Sequence, residues 1–187
     1  MGRTLKESHN FKGQLENIES LLANKFLKDE LVVVMKRNPS QFMDVYNIAQ
    51  TDNQPQAWRA TWLLNQIIVN NDKRLKNKTS SILKLIPNCN EGHQREWLRV
   101  LEKLKVKEDE ESVLFGICID IWKDILKRPG VRIIAFRILV NIVKKYPDLI
   151  DEIKLLTQNH FTETLSPGIK NSFIKLEKEL NSNLRVH

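Results

Sequence analysis

Apolar residues recur at three-and-four spacing along most of the chain, in stretches several turns long separated by short polar segments. That spacing gathers apolar side chains on one side of an α-helix. It predicts helices near 12–24, 28–37, 40–50, 56–71, 75–86, 92–106, 111–127, 130–146, 148–158 and 168–182. The polar connectors read TDNQ, NND, IPNCNEG, KEDEE and TQNHFTETLS. Pro39, Pro55, Pro129, Pro147 and Pro167 each open such a segment, where a missing amide hydrogen is tolerated. The run Leu31-Val32-Val33-Val34 has strand character. With no second strand in the chain to pair with it, helix is the expectation.

A longer period lies over the short one. Pro55, Glu91, Pro129 and Pro167 open alternate helices at intervals of 36, 38 and 38 residues. Each is followed six or seven positions later by a large apolar residue, namely Trp62, Trp97, Phe136 and Phe173. The segments RPGVRIIAF and SPGIKNSF share Pro-Gly, then Val or Ile, then Arg or Lys. A period of this length predicts one helical hairpin per repeat, stacked on its neighbours around a shared core. A general heptad bundle is the alternative reading.

Pro129-x-Val131-Arg132-x-x-Ala135 resembles the start of the second helix of a HEAT repeat. The resemblance covers residues 40–182 and is sharpest in the hairpin 111–146. It departs at WRATW (58–62), where Arg59 comes one position late, and at EGHQREW (91–97), which lacks both Pro and Val-Arg. It implies an all-α fold, an α-α superhelix (HEAT-like solenoid) of about five stacked antiparallel helix pairs. The second helices would line a concave face. The expected organisation is one HEAT-like domain over 1–187, with a first helix pair at about 12–37.

Charge adds a sidedness. The net charge is +7. Residues 129–146 hold Arg132, Arg137, Lys144 and Lys145 and no acid, whereas the first helices carry Glu111, Asp120, Asp124, Asp148, Asp151, Glu152 and Glu163. At about 100° per residue, Arg137, Asn141, Lys144 and Lys145 share one polar face. Arg132 falls on the other side, among Val131, Ala135 and Leu139, where a carboxylate or carbonyl between repeats is its expected partner. A step of 38 residues carries Arg99 to Arg137 and Arg137 to Lys175. These cations predict a ladder across consecutive second helices, with Lys144 and Lys145 in support. The bland alternative is a solvated face. A basic concave surface attracts acidic protein segments or nucleic-acid phosphates. No aromatic RNA-binding signature is present, so a protein partner with an acidic surface is the first reading and nucleic acid the second.

Candidate chemistry changes this picture little. Trp58 and Trp62 stand one turn apart and could stack bases. Bulky residues in paired helices are more often core, and the same reading covers Trp97 and Trp122. HEAT-like repeats also build alkylpurine DNA glycosylases, whose site here would draw on Trp58, Trp62, Asp120, Trp122 and Arg137; no motif supports the transfer. Met35-Lys36-Arg37-Asn38-Pro39 looks like a fragment of the fumarase and adenylosuccinate lyase signature GSSxMPxKxNP. It lacks the Gly-Ser-Ser loop and the Pro between Met and Lys, so a lyase reading is set aside. The plain reading is a basic helix end followed by the start of the next helix.

Cys89 and Cys118 form no CxxC pair, and His9, His93, His160 and His187 have no metal-ligand spacing. No phosphate-binding glycine loop or nucleophile elbow is present. The expectation is a non-enzymatic protein with no metal or cofactor. The first ten residues have no apolar core for a signal peptide, and Lys6 breaks the myristoylation pattern. A cytoplasmic protein without a membrane span is expected.

Overall fold

The computed structural model describes residues 18–23 and 28–182, so residues 12–17 and 24 of the first expected helix, His9 and His187 lie outside the described residues. Among those described there are eleven α-helices and no strand. They are α1 (Ile18–Ala23), α2 (Lys28–Arg37), α3 (Phe42–Ala49), α4 (Gln56–Ile67), α5 (Thr79–Leu85), α6 (Glu91–Leu101), α7 (Glu108–Lys123), α8 (Pro129–Lys145), α9 (Ile150–Leu155), α10 (Asn159–Thr162) and α11 (Pro167–Ser182). The segment with strand character lies inside α2.

Helices α3 and α4 pack as a pair, as do α7 and α8. The second helices then pack on one another in sequence, α4 on α6, α6 on α8 and α8 on α11. A repeat of one hairpin has this consequence, because a hairpin buries only one apolar side within itself and needs a neighbour for the other. Helix α8 shows it best: enclosed by α6, α7 and α11, it buries residues around most of its circumference, including Val131, Ile134, Phe136, Leu139 and Val143. Each such side chain, fully buried, contributes about 1.5–3 kcal/mol.

Aromatic residues fill the spaces between layers. Trp122 of α7 lies 4.5 Å from Phe136 of α8 and 5.6 Å from Phe173 of α11, centroid to centroid. Its indole N–H donates to the Leu156 carbonyl at 2.8 Å, so the polar end is satisfied where the ring is fully buried. Trp97 is equally buried and meets Tyr46 edge-on at 6.3 Å.

Several helix ends differ from the expected ones for local reasons. The expected connector KEDEE is the start of α7: Lys107 occupies the N-cap and Glu108 to Glu111 fill the first turn. Acids there oppose the helix dipole favourably. The expected helix 111–127 stops early because Asp124 turns extended and its carboxylate accepts the Leu126 N–H at 3.1 Å. Asn71 and Asn77 adopt φ of 55° and 63°, left-handed values that asparagine tolerates. Asn77 thereby delays the helix expected at 75–86, which begins at Thr79, whereas the one expected at 56–71 ends at Ile67 because Ile68 turns extended, with ψ of 145°. The connector TQNHFTETLS contains the short α10.

Candidate interaction surface

The cations expected to form a ladder sit on the second helices, each in its own electrostatic setting. Arg137 of α8 reaches Glu102 beyond the end of α6 with two hydrogen bonds, 2.6 Å from Nε and 3.1 Å from Nη2. Arg99 of α6 lies 3.8 Å from Glu96, one turn back. Lys144 pairs with Glu179 of α11. Lys145, the adjacent residue, turns the other way and pairs at 2.7 Å with Glu111 of α7. The Glu111 bond raises the Lys145 pKa. Burial pushes Glu111 upward, but bonds from Lys145 and Tyr146 outweigh it and hold that carboxyl below its ordinary value. Lys175 of α11 is exposed and has no ion-pair partner among the described residues.

The second-helix row is therefore mixed in charge where it had been expected to be basic. Glu96, Glu102 and Glu179 interleave with the cations, and they come from second helices or their ends. The shared polar face of Arg137, Asn141, Lys144 and Lys145 fans out, with its charged ends directed to three different neighbours.

Two arginines serve packing. Arg132 is fully buried: Nε donates to the Trp122 carbonyl at 3.0 Å, Nη1 to Thr164 Oγ1 at 2.9 Å, and Nη2 to the Phe161 carbonyl. Burial lowers its pKa. The out-of-register Arg59 has a related role, since its Nη1 donates to the Leu22 and Ala23 carbonyls at 2.7 and 2.8 Å, at the end of α1.

The residues considered for a glycosylase site do not converge. Trp122 is sealed in the core, Asp120 lies on the exposed side of α7, and Arg137 is held against Glu102. Met35 is buried, and Lys36 and Arg37 close the last turn of α2. Among the described residues no group of histidine, cysteine and acidic side chains is arranged to hold a metal ion. Burial raises the thiol of Cys89 to about 11 and that of Cys118 still further, so neither is poised as a nucleophile. Among the described residues no helix is long and apolar enough to cross a membrane.

One feature escaped the sequence reading. Trp97 and Trp122 are core and Trp62 packs against it, but half-buried Trp58 lines a groove of about 550 Å³. Pro55, Glu91, Gly92, Arg95 and Arg128 line it with Trp58. They come from the amino-terminal ends of α4, α6 and α8, three consecutive second helices. The available signal was the recurrence of helix openings, read for period and not for what the openings bring together.

No curated protein and no solved structure matches the chain. A family model described as the HEAT repeat domain matches residues 19–180, and this family is typically non-catalytic. With its paired helices and continuous row of second helices, the chain belongs to the HEAT repeat family.

Proposed function

We propose that this protein is a non-enzymatic interaction module, a single domain acting in the cytoplasm. It captures a protein partner with an acidic surface through its second-helix face. Arg99, Arg137, Lys175, Lys144 and Lys145 make the contacts. The observation that carries the reading is the recurrence of Arg99, Arg137 and Lys175 at one register on α6, α8 and α11, which pack in sequence.

The internal ion pairs favour exchange over permanent locking. The Arg99 and Arg137 side chains are 43% and 42% exposed, and pairs this open are worth about 0–1 kcal/mol each. A partner carboxylate can replace Glu102 or Glu179 at little cost, while Lys175 is available without exchange. Such a surface would steer an acidic partner from a distance and lose its pull as salt rises.

The test is partner capture from a lysate by the wild-type chain and by the double variant Arg137→Glu/Lys175→Glu. The proposal expects capture of one or more acidic proteins by the wild type, lost in the variant, with unchanged circular dichroism melts. Equal capture by both proteins overturns the assignment of these residues.

A further inference from the structure

We propose that the groove between the amino-terminal ends of α4, α6 and α8 binds an extended acidic segment of another protein. This site is separate from the second-helix ladder and shares no residue with it.

Its hydrogen-bonding capacity is partly unspent. Arg95 uses Nε and Nη2 on Glu96 Oε1, at 3.1 and 2.8 Å, leaving Nη1 with no protein acceptor among the described residues. That nitrogen lies 3.9 Å from where a Cβ on Gly130 would stand, and the Arg95 side chain is 39% exposed, so the guanidinium stays open to solvent beside the start of α8. The Arg128 side chain is 87% exposed and, among the described residues, pairs with Glu91 alone, at 3.8 Å. Two arginine forks thus face one cavity with donors to spare, a geometry that suits carboxylates.

The floor is apolar. The Trp58 ring lies against Gly92, 3.6 Å from the position of an added Cβ, and Pro55 lies beside it in the lining. Leu126, two residues before Arg128, is 91% exposed. The cavity volume falls within the range of about 300–1,000 Å³ seen for binding sites.

Glu91 decides between the two classes of acidic polymer. Its Oε2 accepts the Arg128 backbone N–H at 2.9 Å, committing it to the start of α8 while it still lines the groove. A nucleic-acid strand brings a negative charge at every residue and would set a phosphate against this carboxylate. A peptide can place one acidic side chain on the arginines, a neutral residue beside Glu91 and an apolar one on Trp58. The charge pattern therefore fits a protein segment of spaced acidic and apolar residues.

The experiment is fluorescence anisotropy of the full chain with a fluorescein-labelled ten-residue peptide of alternating Glu and Leu. The same peptide with Lys for Glu and a ten-nucleotide single-stranded DNA serve as comparisons. The expected result is saturable binding of the Glu peptide alone, weakened at least tenfold by Arg128→Glu and less than about threefold by Arg128→Lys. Arg128 is too exposed for either change to threaten folding, and coincident melts verify this. Three results would overturn the proposal: no saturable binding at millimolar peptide, equal affinity in Arg128→Glu, or tighter binding of the DNA. Weakening by Arg137→Glu/Lys175→Glu without weakening by Arg128→Glu would also overturn it, since the peptide would then sit on the second-helix face.

Discussion

In the α7–α8 hairpin, an arginine three residues into the second helix is enclosed and donates to two carbonyls and a hydroxyl, next to three packed aromatic rings. In the α3–α4 hairpin, the arginine near the same point stays partly exposed and closes only the end of α1. There the tie to the following repeat is a buried histidine. His93 of α6 places Nε2 at 2.8 Å from Thr61 Oγ1 and 3.0 Å from the Ala49 carbonyl, and Nδ1 at 3.2 Å from Gln54 Nε2. These partners suit the neutral ring with its hydrogen on Nε2. A few residues along the same interface, buried Glu96 accepts from Asn65 Nδ2 at 3.2 Å. Equivalent seams of a solenoid can thus be closed by a cation on carbonyls or by a neutral polar chain. In each solution the central side chain, Arg132 or His93, has its guanidinium or ring nitrogens hydrogen-bonded, which is what matters in a low-dielectric interior.

The sharpest way to break this comparison is to truncate both arginines. Arg132→Ala strands two carbonyls and leaves a cavity, and should cost on the order of 4 kcal/mol. Arg59→Ala, at a partly exposed site, should cost about 1 kcal/mol. Urea denaturation midpoints measure both, and equal costs would show that burial does not separate the two sites. At the histidine seam, Thr61→Val removes one partner of His93 and should cost about 1–2 kcal/mol by the same measurement.

The two seams should also differ in their response to acid. Burial lowers the His93 pKa below its ordinary 6.5, so the unfolded chain takes up the proton first. Stability from this site is complete above about pH 6.5 and falls as pH drops through the interval down to the folded pKa. His93→Gln should flatten that slope in thermal melts, whereas Arg132→Ala should leave it intact. The smallest effects belong to the surface pairs. Lys144→Ala should shift stability by no more than about 0.5 kcal/mol, and a larger loss in a double-mutant cycle with Glu179→Ala would show that the pair acts as a lock.

Much of the fold was legible because helix period and repeat period are both written in apolar positions. Helix α2 was expected at 28–37 and spans Lys28–Arg37; α8 and α11 each begin one residue before expectation, at Pro129 and Pro167. The KEDEE connector misled because acids crowd both loops and first helical turns. Its third acid, Glu110, is buried and accepts a hydrogen bond from Thr79, a contact that needs the neighbouring helix. Arg132 was legible as a bond to a neighbouring repeat, from its apolar surroundings on the helix. Trp58 was not legible as a groove wall, because it shares a helical face with Trp62 and only the packing of α6 separates them.

From the chain alone follow the helices, their pairing and the places where repeats begin, since each depends on spacing within one or two turns or on a period near 38 residues. The tertiary structure decided how the charges are used. Arg137 meets Glu102, Lys145 meets Glu111 and Lys144 meets Glu179 across sequence separations of 35, 34 and 35 residues. The lysines at 144 and 145 diverge although they adjoin, because a helix turns about 100° between them and each neighbouring helix offers its own acid. Spacing sets which face a residue occupies, but only the stacked repeats set what stands opposite it.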